Sequence, residues 1–188
     1  MDEIIRLAAD LQAFLEERGW SFAIIGGVAN LAWGEVRTTR DVDVTLYTAF
    51  KDEESFVSEI LKRYKPRIAD AKRFAMQARV LLLVSDEGYG IDIGLGGFPF
   101  EERALGRSVK ADFGKGFFLR VVIAEDLIAM KCFAGRDQDW ADVTGIVRRQ
   151  GDKLDWKDIL ASVADLAALK DDEEMLPKLV GIRERFGA

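Results

Sequence analysis

Hydrophobic and polar positions change their period along this chain, and the changes mark its elements. Ile4, Ile5, Leu7, Ala8, Leu11, Phe14 and Leu15 recur at helical spacing over residues 3–18, and Gly19 ends the run. Phe22-Ala-Ile-Ile25 is a short apolar run entering Gly26-Gly27, the pattern of a buried strand that turns into a short helix over Val28–Trp33. Val42–Tyr47 alternates and reads as a strand. Asp52 is placed to cap a helix reaching about Tyr64, with Pro66 as its stop. Val80–Val84 and Gly90–Gly94 flank the turn-like Asp86-Glu-Gly88 and suggest an antiparallel hairpin, and Phe117–Ile123 adds a strand. From Ala124 the period stays helical, with helices expected near 124–133, 138–149, 155–169 and 172–185. The expected fold is α/β (α+β): a small mixed sheet with helices over residues 1–123, then a C-terminal helical extension, 124–188, packed on that core.

Composition narrows the chemistry. The 188 residues contain no histidine and one cysteine, Cys132. A Ser-His-Asp or Cys-His apparatus and an imidazole zinc site are therefore excluded. Any base must be Asp, Glu, Lys or Tyr, and any metal a hard cation held by oxygen. A lone cysteine forms no intrachain disulfide, no apolar run reaches the roughly 18 residues of a membrane helix, and the acidic start Met-Asp-Glu-Ile-Ile-Arg lacks a basic n-region. Cytoplasm, without membrane attachment, is the expected location.

The net charge of −6 hides a basic tract: Lys62 to Arg120 holds twelve Lys/Arg against seven Asp/Glu. Its densest part is Lys62, Arg63, Lys65, Arg67, Lys72, Arg73 and Arg79. This is either a solvated face or a surface that meets polyphosphate or nucleic acid.

Asp41 and Asp43 carry the sharpest chemical signal. Side chains two apart on a strand share a face, and two carboxylates side by side repel unless a cation sits between them. A solvent-facing strand edge also accommodates such a pair. Gly27 stands fourteen residues before Asp41, where glycine admits a ligand close to the backbone and helix N–H groups suit phosphate. An ordinary tight turn uses glycine there as well. Asp92 lies between Ile91 and Ile93 on an expected strand, where an unpaired charge is expensive to bury.

Gly26-Gly27, Asp41-Val-Asp43 and Ile-Asp92-Ile together resemble the signature of the polymerase-β nucleotidyltransferase superfamily. Arg37-Thr-Thr39-Arg-Asp41-Val-Asp43 is similar to the run found in minimal nucleotidyltransferases of the abortive-infection toxin type, and the likeness continues through Gly97–Glu102, Ala124–Ile128, Lys131 and Gly135–Asp142. It covers roughly residues 20–150. The resemblance implies a nucleotidyltransferase core in which Asp41, Asp43 and Asp92 hold two Mg²⁺ ions (Mn²⁺ could substitute) and take part in catalysis, Asp92 as the best-placed base. It implies an NTP substrate contacted by Gly26, Gly27, Arg37, Thr39, Lys131 and Arg136. It implies release of pyrophosphate, an acceptor of the tRNA or protein kind, and an antitoxin as a candidate partner. Strand parity would put Arg37, Thr39, Asp41 and Asp43 on one face if the strand begins early.

Arg136, Asp139 and Asp142 are equally explained by an ion-pair network. Gly94-Leu-Gly-Gly97 reads as a turn, the four tryptophans as core or boundary aromatics, and Cys132 as a small hydrophobe. Two readings from other classes stay open: a nucleotide- or RNA-binding module without catalysis, and an interaction protein of a toxin–antitoxin pair.

Overall fold

The computed structural model describes residues 2–187. Its elements run α1 (Asp2–Glu17), β1 (Phe22–Ile24), α2 (Gly26–Trp33), β2 (Asp41–Tyr47), α3 (Glu53–Ile60), β3 (Lys65–Pro66), α4 (Ala71–Ala78), β4 (Val80–Val84), β5 (Gly90–Gly96), α5 (Pro99–Gly106), β6 (Val109–Asp112) and β7 (Phe118–Val121). Four helices follow: α6 (Ala124–Ala134), α7 (Asp137–Gln150), α8 (Trp156–Lys170) and α9 (Met175–Phe186), with a single 3₁₀ turn at Gly151–Lys153. The chain divides into two compact units: residues up to Val28 with Thr38–Val122, and Ala29–Arg37 with the chain from Ile123 onward.

The first unit is a seven-stranded mixed sheet in the order β3-β4-β5-β2-β1-β7-β6. β2 pairs in parallel with β5 and antiparallel with β1, while β3, β4 and β5 form an antiparallel meander. Alternation decides the faces. Val42, Val44 and Leu46 of β2, Ile91, Ile93 and Leu95 of β5, and Leu81 and Leu83 of β4 are buried on one side. Asp41, Asp43 and Asp92 therefore look out from the other. α1 buries Ile4, Ile5, Ala8, Leu11, Phe14 and Leu15 along one stripe. β1 reaches β7 only at Ile24↔Val121, so part of the β7 backbone needs other partners. Gln12 of α1 supplies them, its amide donating to Phe118 O (3.1 Å) and its Oε1 accepting from Arg120 N (2.7 Å).

In the second unit, helices α6 to α9 pack against one another, and the segment around Trp33–Glu35 is held by Arg149, which donates to Gly34 O (2.6 Å), and by Gln150, which donates to Trp33 O (2.6 Å). Cys132 is fully buried there. Among the described residues, no helix is long and apolar enough to cross a membrane.

Several sequence expectations need correction. Asp52 precedes α3 in a left-handed conformation (φ 49°), and its side chain makes no cap bond. That helix ends at Ile60, before the expected Tyr64. Gly94–Gly96 is strand, paired with Thr45–Tyr47, and not a turn. Glycine is used there for close approach: a Cβ on Gly96 would stand 2.9 Å from Thr45 Cγ2.

Candidate active site

β2 and β5 bring the three carboxylates together. Asp43 and Asp92 are direct register partners, and Asp41 pairs with Gly90, one step along the same face. Like charges so placed repel, and Asp43 and Asp92 each have a neighbour that eases the repulsion. Asp43 turns toward the start of α2, where Gly27 N–H approaches Asp43 Oδ2 at 3.5 Å. This is a long contact, in the position where a helix N-terminus favours an anion. Gly26 makes it feasible twice over. Its φ of +59° suits glycine, and a Cβ there would stand 2.0 Å from Asp43 Oδ2.

Asp92 meets a residue that the sequence did not single out. Arg67 Nη2 lies 2.8 Å from Asp92 Oδ1 as an ion pair. The contact lacks hydrogen-bond alignment, so that buried oxygen has no hydrogen-bond partner. Burial raises the Asp92 carboxyl above its ordinary range; Arg67 opposes the shift, and Asp43 and Asp41 add to it. The other arm of the fork ends above Gly90, where a Cβ would lie 2.1 Å from Asp41 Oδ1 and 2.7 Å from Arg67 Nη1. Arg67 appeared in the sequence only as one of seven basic neighbours. Its place emerges from pairings across three strands.

Among the described residues, no three Asp, Glu or Cys side chains stand together as a ready metal cage. The set nevertheless fits a hard divalent cation by type, by shared face and by the buried Oδ1 of Asp92, which has an ion pair but no hydrogen bond.

The remaining site candidates fall elsewhere. β2 begins at Asp41, so residues 37–40 are not strand and the parity argument does not extend to Arg37 or Thr39. Thr39 Oγ1 donates to Asp41 O at 3.3 Å, at the start of the strand. In the second unit Arg37 forks onto Asp142, with Nε to Oδ1 and Nη2 to Oδ2 both at 2.8 Å. Lys131 is buried beside it, 2.6 Å from Asp142 Oδ2 and 3.5 Å from Asp139 Oδ1. Arg136 Nε donates to Asp139 Oδ2 at 2.7 Å, and its own side chain stays exposed. Burial works against the charged forms of Asp139 and Asp142, but their basic partners outweigh it and hold both carboxyls below the usual range. The network reading thus describes Arg136, Asp139 and Asp142, with the carboxylates inside the unit and not on its surface. Cys132 is no nucleophile, because burial pushes its thiol up to about 12.

The basic tract is also accounted for. Lys62 pairs with Glu59, Arg63 with Asp10, Lys65 with Asp86, Arg67 with Asp92, Lys72 with Glu54, Arg73 with Asp70 and Arg79 with Glu53. Every member of the dense cluster has a carboxylate partner.

Residues 5–179 match the model of the family described as "Nucleotidyl transferase of unknown function (DUF2204)". The chain belongs to this family. It is an enzyme of the nucleotidyltransferase class, with the mixed α/β fold and C-terminal helices expected from the sequence. No curated protein matches the sequence. Among solved structures, an antigenic nucleotidyltransferase-like protein from Paracoccidioides brasiliensis is similar at 14% identity and a TM-score of 0.56, over 95% of this chain and 94% of that one. This likeness shows the fold. ANT(2'')-Ia, solved in complex with adenylyl-2''-tobramycin, is similar at 16% identity and a TM-score of 0.48, over 98% of this chain and 99% of that one.

Proposed function

We propose that this nucleotidyltransferase is Mg²⁺-dependent, and that it moves an NMP from an NTP to an acceptor hydroxyl at the open face of β2 and β5. The observation that carries the reading is the register: Asp43 opposite Asp92, with Asp41 beside them on the same face. Asp41, Asp43 and Asp92 would hold the ion. Bound there, Mg²⁺ supplies positive charge to the triphosphate and polarises the α-phosphate. Asp92, raised by burial, accepts the proton of the acceptor hydroxyl. The hydroxyl oxygen bonds to the α-phosphorus, the bond to the oxygen bridging the α- and β-phosphates breaks, and pyrophosphate leaves. Gly26 and Gly27 are assigned to the phosphates through the resemblance, at a helix start that Asp43 now faces.

Arg37, Thr39, Lys131 and Arg136 are assigned to the nucleotide through the resemblance. For Lys131 and Arg37 that role requires leaving Asp142. An acceptor of the tRNA or protein kind likewise rests on the resemblance, since each member of the dense basic cluster has a carboxylate partner.

The test is label transfer. The purified chain is incubated with Mg²⁺ and each α-labelled NTP, alone, with total tRNA and with a protein extract. Transfer that disappears in Asp41→Ala and Asp43→Ala supports the reading. Metal-dependent NTP binding without transfer to any acceptor favours the binding module instead, and absence of both Mg²⁺ and NTP binding removes both readings.

A further inference from the structure

Arg67 stands where a cation is needed, and its position is built into the sheet. β3 pairs with β4 through Lys65↔Val84 and Pro66↔Leu83, and Arg67 N donates to Leu82 O at 2.9 Å, extending that ladder by one residue. Leu82 pairs with Asp92, and Asp92 with Asp43. Arg67, Leu82, Asp92 and Asp43 thus form one row across four strands. Side chains of paired residues share a face, and neighbouring strands lie about 4.8 Å apart. Arg67 spans the Leu82 position to reach Asp92, a distance of roughly two strand spacings from its own backbone. Only a long side chain does this. Its fork then divides, Nη2 to Asp92 Oδ1 at 2.8 Å and Nη1 into the space above Gly90 that Asp41 Oδ1 also enters. A Cβ at position 90 would collide with both.

We propose that Arg67 is a built-in counter-cation that closes the metal position, and that a divalent ion binds by displacing its guanidinium from Asp92. The inference rests on the metal reading given above. The positive charge beside Asp92 offsets part of the repulsion among the three carboxylates. A doubly charged ion gains more from the same oxygens, so exchange is favourable, but the ion pair must break first. Metal affinity is therefore lower than the carboxylates alone would give. Of the three carboxylates, Asp92 is held by Arg67 and Asp43 faces Gly27.

Mn²⁺ binding to the full chain without nucleotide, read from the electron paramagnetic resonance of the free ion, tests this directly. Arg67→Gln should bind Mn²⁺ about tenfold more tightly than the wild type, the scale of a half-buried ion pair removed. Its metal-free melting temperature should fall, and Mn²⁺ should raise it by more than it raises that of the wild type. Arg67→Lys keeps a cation on an unforked stem and should fall between the two, which covers the case where the glutamine variant does not fold. Equal or weaker Mn²⁺ affinity in both variants overturns the inference. If wild type and variants bind equally while Asp92→Asn abolishes binding, the metal reading stands and the competition alone is wrong. If none of them binds Mn²⁺, the metal reading itself falls and takes this inference with it.

Discussion

Gly26→Ala separates the backbone role of a glycine from its role in the site. At φ +59° an alanine costs on the order of 1–2 kcal/mol. The new Cβ would also stand 2.0 Å from Asp43 Oδ2 and 2.6 Å from its Cγ, so the carboxylate must leave the α2 N-terminus. Gly19 is the matched control. It has φ +65°, and nothing lies within 4 Å of a Cβ built there. Gly19→Ala therefore carries the same conformational cost and no collision. Both variants should lose roughly 1–2 kcal/mol in urea unfolding, a fall of about 2–8 °C in melting temperature for a chain of this size. Only Gly26→Ala should lose nucleotide transfer and Mn²⁺ binding, by tenfold or more if Asp43 is displaced from the metal, on the order of 10–100-fold even for residues that merely support a metal ligand. Transfer rates in Gly26→Ala that match those in Gly19→Ala would refute the placement of Asp43 in the site.

Asp41→Asn should abolish metal-dependent transfer by at least about a hundredfold while leaving the fold intact, since the side chain is exposed; transfer assays and circular dichroism check both halves. Asp142→Asn removes the carboxylate that Lys131 and Arg37 share, leaves Lys131 only the longer contact to Asp139, and should cost about 3 kcal/mol, whereas Lys131→Met leaves Asp142 with Arg37 and Asp139 with Arg136 and should cost less; the two urea midpoints decide. The folded carboxyls of Asp139 and Asp142 lie below their unfolded values, so the unfolded chain binds more protons in acid and stability rises with pH. Their contribution is complete above the ordinary carboxylate range near pH 4 and disappears as pH falls through the folded values; the acid limb of the melting curve should flatten in an Asp139→Asn, Asp142→Asn double variant.

How much of this was legible in the sequence depended on length and on locality. The helices α6 to α9 fall close to their expected ranges because ten or more residues of helical period leave little ambiguity. β2 was visible through alternation, and β4 and β5 through the Asp86-Glu-Gly88 turn that they flank. β3 has two residues, one of them a proline at the sheet edge, and α4 buries only Ala71 and Ala75 within a charged tract, so neither shows a period. Asp41 and Asp43 could be put on one face by parity alone. Asp92 was marked by its isoleucine neighbours, but its place opposite Asp43 depends on the parallel pairing of two strands nearly fifty residues apart. Arg67 depends on two further pairings, and no local pattern carries that. The parity argument for Arg37 fails for the opposite reason: a local rule was extended past the point where the strand begins.

The register that assembles the site is fixed by the core beneath it. Val42, Val44 and Leu46 face the same interior as Ile91, Ile93 and Leu95, and all are essentially inaccessible to solvent. Slipping β5 by one residue against β2 would carry Ile91, Ile93 and Leu95 to the open face and bury Asp92 among aliphatic side chains. The hydrophobic penalty alone is about 1.5–3 kcal/mol for each large side chain exposed, before the buried charge is counted. The alignment of Asp43 with Asp92 is therefore enforced by residues with no chemistry of their own. This explains why three carboxylates can share one face at all: their repulsion acts on a strand pairing that the opposite face will not release, and Gly27 N–H and Arg67 have only to moderate it.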